Sequence, residues 1–481
     1  MDYDVIIIGC GIIGAACAYA LSRYDLKVAV LERDNDVANG TTKANSAIIH
    51  AGYDPLPGTK MARLNVEGNR LAEEICKKLD VPYKKIGSLV LALTEEELPH
   101  IKALYDRGVA NCVPGLQLLT AEETLAMEPN VSPEVQGALY APSAGIVNPW
   151  EFALAMAETA VKNGVALFLN TNVDGIGQTD RGYVLETSKG TFSSAFVLNC
   201  AGTLTDQVSS LLSPADFRIT PARGEYFLLD KSEGTRVNHV IFQCPSALGK
   251  GVLVSPTVHG NLIVGPNAVS SDPEDTTTTA DGLASVRTQA VRSVPSINFR
   301  DNIRNFAGVR ANSDHEDFIV EEKFGFSGFF EFAGIRSPGL SAAPALGLEA
   351  VRLLREAGLP LNEKEQYMDT RKRIRFHELS ADERNALIQK EPRYGRVICR
   401  CETVTEGEIV AALHTPIPPV SVNGVKRRVG AGMGRCQGGF CAPRVQEIIA
   451  RELGVSPLDV LMESEGSYVL TEETKGGANH G

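Results

Sequence analysis

Two close pairs of cysteines mark the C-terminal part of the chain: Cys399-Arg-Cys401 and Cys436-Gln-Gly-Gly-Phe-Cys441, with 34 residues between the pairs. Four thiolates so spaced can hold a metal, and Gly430, Gly432, Gly434, Gly438 and Gly439 let the backbone wrap tightly around it. Structural zinc uses such a ligand set, and so does a [2Fe–2S] cluster. Near the other terminus stands Gly9-Cys-Gly11-Ile-Ile-Gly14, with an acid, Glu32, 18 residues beyond Gly14. This is the grammar of dinucleotide binding. Gly9 allows a tight turn, Gly11 lets a pyrophosphate approach the backbone, Gly14 permits close helix–strand packing, and Glu32 accepts from a ribose hydroxyl.

Those groups need elements to hold them. The β-branched run at residues 3–8 reads as a buried strand, residues 15–21 as helix, and residues 27–31 as a second strand ending at Glu32. The pyrophosphate then sits over the helix N-terminus. The motif alone does not choose between FAD and NAD. Its place at the start of the chain, with further matching segments hundreds of residues later, favours FAD. Beyond it come a small-residue loop, Gly40-Thr-Thr-Lys-Ala-Asn-Ser-Ala-Ile-Ile-His50, a turn at residues 54–58, and a mixed-charge helix over 62–79.

The 481 residues exceed what one core needs, so two or three domains are expected. A net charge of -12, from 47 Lys and Arg against 59 Asp and Glu, argues against a nucleic-acid partner. The apolar stretch 5–21 is broken by three glycines and is too short for a membrane span, and no basic leader marks a signal peptide. Ten cysteines are too few for a disulfide scaffold, so a reducing, cytoplasmic location is expected. Residues 362–396 are rich in both charge signs, and the run Arg371-Lys-Arg-Ile-Arg375 reads as a solvated linker or helix face.

Residues 1–355 resemble the FAD-dependent oxidoreductases of the D-amino-acid oxidase class. Within it they are most similar to enzymes acting on glycerol 3-phosphate, and next to L-2-hydroxyglutarate dehydrogenases. The resemblance rests on Asn45-Ser-Ala-Ile-Ile-His50-Ala-Gly52, Phe196-Val-Leu-Asn-Cys-Ala-Gly202, Pro221-Ala-Arg-Gly-Glu-Tyr226, Lys250-Gly-Val-Leu-Val-Ser-Pro256, Gly308-Val-Arg310 and Gly334-Ile-Arg-Ser-Pro-Gly-Leu340. Ala47 stands where such proteins commonly have glycine, and Arg336 where they vary. The cysteine module resembles the bacterioferritin-associated ferredoxins; its four-residue Cys436–Cys441 spacing is that of modules fused to some flavin dehydrogenases.

The resemblance implies an α/β fold, with a Rossmann-like FAD-binding domain interleaved with an antiparallel-sheet substrate domain and a small helical iron–sulfur domain at the C-terminus. The FAD domain is expected at 1–80, about 145–215 and 300–358, and the substrate domain at about 81–144 and 216–299. A linker at 359–395, a cluster domain at 396–465 and a tail at 466–481 complete the division. His50 is expected beside the flavin, where an imidazole can take the hydroxyl proton of a substrate. Arg310, flanked by apolar residues, can grip a phosphate or carboxylate. Lys250 and Arg336 are further candidates, although either can instead neutralise a carboxylate, and Ser337 can donate to substrate or flavin. Thr41, Thr42 and Ser46 are candidate hydroxyl contacts to the cofactor, or simply satisfy backbone. Val173, Ala201, Gly202, Gly308, Gly334, Gly339 and Leu340 complete the expected cofactor contacts, the last three just before an expected helix over 342–354 whose N-terminal dipole can stabilise negative charge at the reduced flavin's N1–O2 edge. Cys399, Cys401, Cys436 and Cys441 are the expected ligands of a [2Fe–2S] cluster, with zinc second. The activity implied is oxidation of glycerol 3-phosphate to dihydroxyacetone phosphate. Its rivals are a 2-hydroxy acid as substrate and an electron-transfer subunit with no substrate of its own. A small anionic hydroxy substrate and a protein electron acceptor are the expected partners.

Overall fold

The structure is a computed structural model that describes residues 1–244 and 251–472. It divides into two compact units: Met1–Arg33 with Val37–Arg371, and Asp34–Asp36 with the chain from Lys372 onward.

In the first unit, β1 (Tyr3–Ile8) is the β-branched run, and its Val5, Ile6 and Ile7 are fully buried. Burial on both faces is what a parallel sheet covered by helices requires. α1 (Ile12–Leu21) carries the chain to β2 (Val28–Leu31), which pairs parallel with β1. On its other side β1 pairs parallel with β3 (Gly190–Asn199). Among the described residues this sheet has eight strands, in the order Val173–Thr179, Gly182–Thr187, β3, β1, β2 and Ala166–Phe168. The remaining two, Ile319–Glu322 and Phe329–Ala333, are joined through β3. Sequence positions 3 and 333 therefore meet in one sheet. α2 (Lys60–Lys78) and the last helix of the unit, α3 (Gly339–Glu356), cross each other, and α3 also packs on α1.

The second sheet of this unit has nine strands among the described residues. Its backbone is the long antiparallel pair of β4 (Ala222–Leu229) and β5 (Asn302–Arg310). One pairing is parallel, Val240–Gln243 with Ser88–Ala92. Leu89, Leu91, Ile241, Val264 and Val286 form its buried core. The expected boundary at residue 300 shifts accordingly. β5 belongs to the second sheet because its ladder to β4 runs through eight residue pairs, and the chain returns to the first sheet only at Ile319.

The stretch 359–395, expected as a linker, is shared between the units, and 381–390 is helical. Arg371, expected to be solvated, is 5% exposed: its guanidinium donates to Glu158 at 2.7 Å and faces Glu151 at 3.5 Å. Two buried carboxylates draw it in, and nothing in the local charge run announces them.

The second unit pairs Val397–Cys399 with Val404–Thr405 and adds helices at Glu406–Leu413, Val422–Val429 and α4 (Ala442–Leu453). Thr405 and Glu408 form a reciprocal capping box, which fixes where the first of these helices starts. Val445, Ile448 and Ile449 bury one face of α4 at helical spacing. Asp36 is 2% exposed and bonds Arg428 at 2.8 and 2.9 Å and Arg427 at 3.2 Å. Burial pushes the Asp36 carboxyl up, but the two guanidinium groups outweigh it and hold it below its ordinary value. No helix among the described residues is long and apolar enough to cross a membrane.

Candidate active site and cysteine site

The glycine turn forms as its spacing requires. Gly9 has φ +93°, and a Cβ on Gly14 would fall 1.9 Å from the Gly9 carbonyl oxygen. α1 starts at Gly11 with no side-chain cap and no acid in its first turn, so the helix end suits an anionic group. Glu32 accepts from the Cys10 amide at 2.7 Å, which pins the turn. Cys200 donates its amide to Ile8, which brings Ala201 and Gly202 against the same turn. Val173 lies in the apolar core at the edge of this sheet, with Ile6 and Leu31.

Thr42 and Thr41 serve backbone. Thr42 Oγ1 accepts from the Ile12 amide at 3.0 Å, and Thr41 Oγ1 donates to the Val309 carbonyl at 2.6 Å. Together they tie residues 41–43 to α1 and to β5. That loop lies directly on β5: a Cβ at Gly308 would come within 1.9 Å of the Ala44 carbonyl oxygen. In the β4–β5 ladder Arg310 pairs with Ala222, Gly308 with Gly224 and Phe306 with Tyr226, so all six share the face beneath the loop. Arg310 therefore lies on this face, its Nη2 3.1 Å from where a Gly224 Cβ would stand. Ser46 Oγ and the Tyr226 hydroxyl lie 3.2 Å apart, and Tyr226 stacks on Phe306 with centroids 4.8 Å apart. The sequence reading left Tyr226 out of the site. Its only signal was a tyrosine inside a strand motif.

His50 is the most firmly held of the expected groups. Its amide donates to Ser341 Oγ at 2.7 Å, and its carbonyl accepts from Asn65 and Asn69, each at 3.1 Å. Both asparagines belong to α2, whose polar positions carried no recognisable signal in sequence. The imidazole Nε2 lies 3.3 Å from Ser337 Oγ, and the ring packs on Phe242 with centroids 5.7 Å apart. A small cavity opens here, lined by His50, Tyr53, Asp54, Asn65, Ser337 and Pro338. Gly334 adopts φ +63° in the turn before α3, whose first residues are Gly339 and Leu340. That helix, too, has neither a side-chain cap nor an acid in its first turn.

Arg336 does not join the site. Its guanidinium donates to the carbonyls of Glu316 at 2.7 Å and His315 at 3.3 Å, and so fastens a loop instead of reaching a substrate or a carboxylate. Lys250 lies outside the described residues.

In the second unit the four cysteines gather as two pairs. Cys401 and Cys436 have sulfurs 3.7 Å apart, and the Cys441 thiol bonds Cys399. That bond, with the backbone amides of Gly432, Glu402 and Cys401, outweighs burial and pushes Cys399 down to about 6. Cys441, the donor, is pushed up. Among the described residues no three His, Cys, Asp or Glu side chains converge on a single-ion site. Two thiolates bound at about 2.3 Å to one tetrahedral metal stand about 3.8 Å apart, so the Cys401–Cys436 separation fits two ligands on one metal. The other six cysteines form no disulfide.

Fold and site together define a dinucleotide-dependent oxidoreductase that carries its own four-cysteine redox module. Residues 4–353 match the FAD-dependent oxidoreductase (DAO) family, and residues 397–451 match the BFD-like [2Fe–2S] binding domain. The chain belongs to the FAD-dependent oxidoreductase family, and FAD and a [2Fe–2S] cluster are its cofactors. It is 50% identical over 475 residues to a glycerol 3-phosphate dehydrogenase of Caloramator mitchellensis, covering 98% of this chain and 99% of that one. It is 34% identical over 273 residues to an L-2-hydroxyglutarate dehydrogenase of Escherichia coli, covering 56% of this chain and 64% of that one. Among solved structures it is similar to a dithionite-reduced L-α-glycerophosphate oxidase of Mycoplasma pneumoniae with FAD bound. That match has a TM-score of 0.73 at 35% identity and covers 76% of this chain and 98% of the other.

Proposed function

We propose that the protein oxidises sn-glycerol 3-phosphate at C2 to dihydroxyacetone phosphate. The observation that carries this reading is the 50% identity to a glycerol 3-phosphate dehydrogenase, which runs through both the flavin unit and the cysteine module. When bound, FAD would supply the hydride acceptor for C2 and the cluster a one-electron relay. The residues of the chain do the rest. His50 Nε2 takes the proton of the C2 hydroxyl, with Ser337 Oγ at 3.3 Å to fix its orientation. Ser341, Asn65 and Asn69 hold the histidine backbone so that the ring keeps one position. Arg310, on the face of β5 that carries Gly308 and Phe306, binds the phosphate. A pure electron-transfer subunit needs neither group.

The final acceptor is a protein that takes single electrons from the cysteine module. A reducing, cytoplasmic location suits ten cysteines that form no disulfide. Anaerobic mixing with glycerol 3-phosphate should bleach the flavin spectrum rapidly. Slow bleaching with fast reduction by L-2-hydroxyglutarate would move the substrate to the hydroxy acids.

A further inference from the structure

The four cysteines differ in their surroundings, and the difference follows the pairs. Cys399 is 1% exposed and Cys441 2%, both within the apolar core with Val404, Ile409 and Val445. Cys401 is exposed and Cys436 half-buried. The contacts fix who sits with whom. A Cβ on Gly434 would fall 2.3 Å from Cys401 Cβ, so this glycine lets Cys401 close on the loop that carries Cys436. Cys441 instead opens α4, which buries its side chain beside Cys399 at the end of the short strand Val397–Cys399. Within each pair the sulfurs are in contact, Cys401 with Cys436 at 3.7 Å and Cys399 with Cys441.

We propose that Cys401 and Cys436 ligate one iron at the surface, Cys399 and Cys441 the second iron beneath it, and that electrons leave through the surface iron. The proposal rests on the cluster reading and adds a direction to it. An electron taken up by the cluster adds negative charge, which costs less beside water than in an apolar core. Hydrogen bonds to the sulfurs work the same way, but they nearly balance. The amides of Gly432, Glu402 and Cys401 face Cys399 and that of Cys441 faces its own sulfur, while those of Gly438 and Phe440 face Cys436 and that of Cys436 faces Cys401. Exposure therefore decides. Phe440, 87% exposed, stands on the loop between Cys436 and Cys441.

The pairing is tested by Mössbauer spectroscopy of the oxidised, iron-enriched full-length protein carrying Cys401→Ser with Cys436→Ser. If the two share an iron, about half of the iron signal keeps the all-sulfur form. If every iron shifts, the pairing is overturned. Cys399→Ser with Cys401→Ser, one ligand from each pair, should shift all of the iron. The four single variants, each keeping three thiolates, give an independent reading through the reduction potential. A hard serine oxygen opposes reduction most at the iron that receives the electron. Cys401→Ser and Cys436→Ser should therefore lower the potential together, and by more than Cys399→Ser and Cys441→Ser. Equal drops, or the reverse order, overturn the direction. Wild-type protein with zinc and no acid-labile sulfide would overturn the cluster reading itself, a distinct outcome.

Discussion

The two units build their chemical sites in opposite ways. His50 and Ser337, 287 positions apart, meet because α2, α3 and the first sheet pack in one arrangement. Cys401 and Cys436 are 35 positions apart and meet within a few short elements. The first site depends on long-range registration, such as the β4–β5 ladder that aims Arg310. The second depends on a few glycines, a capping box and a small apolar core. A long-range site can place groups of quite different chemistry around a large ligand. A local one gathers like ligands and leaves the metal to complete the structure.

The largest effect is expected at His50. His50→Asn keeps the backbone bonds to Ser341, Asn65 and Asn69 but removes the base. Flavin reduction by glycerol 3-phosphate in stopped flow should fall by about 10²–10⁴-fold with FAD still bound. An unchanged rate would place the base elsewhere. Breaking the local unit is expected to cost stability instead. Asp36→Ala removes the buried carboxylate that bonds both Arg427 and Arg428, while Arg427 keeps Glu463, a loss of about 3–5 kcal/mol in the second unit. Calorimetry should show this as a lowered transition for that unit. The same pair sets a pH dependence. The folded value of Asp36 lies below the unfolded one, so its contribution is fully present above the ordinary carboxylate range. It is lost as pH falls through the lowered value. A second unit whose stability ignores acid throughout that range would contradict the ion pair.

Arg310→Ala should weaken substrate capture by about 1.5–3 kcal/mol, read as a fall in kcat/KM of roughly 10–100-fold, with partial recovery in Arg310→Lys. An effect confined to flavin binding would remove Arg310 from the substrate. The smallest expected change is a gain. Ala47 adopts φ +59°, which costs an alanine about 1–2 kcal/mol. Ala47→Gly recovers this against glycine's entropy cost of about 0.5–1 kcal/mol. A net stabilisation of roughly 0.5 kcal/mol should appear in denaturant unfolding of the first unit, and a loss would mean that the alanine methyl is packed.

Much of the chemistry was legible before any coordinates. Gly9 and Gly14 make the tight turn and the close helix packing that their spacing implied, and the four cysteines gather in the second unit. The misreadings share one cause: a side chain's partner lay far off in sequence. Arg336 carried the right charge in a motif beside the site, yet the carbonyls of His315 and Glu316 turn it away. Arg371 sat in a run that reads as solvated, but Glu158 and Glu151 bury it. Asn65, Asn69 and Tyr226 support the site from positions whose residue types announce nothing. The hydroxyls of Thr41 and Thr42 are taken by backbone groups of β5 and α1, a choice that only the packed loop could make.

By itself the sequence determined the chemistry that is written in short range: a glycine turn that only a phosphate-binding backbone needs, and thiols spaced for metal. These follow from covalent geometry and from ligands close along the chain. Tertiary structure decided which distant groups meet and which way they face. It joined His50 to Ser337, set Arg310 on one face with Gly224 and Tyr226, tied Arg336 to the carbonyls of His315 and Glu316, and buried one cysteine pair more deeply than the other. Facing and burial are products of packing, which no local spacing encodes.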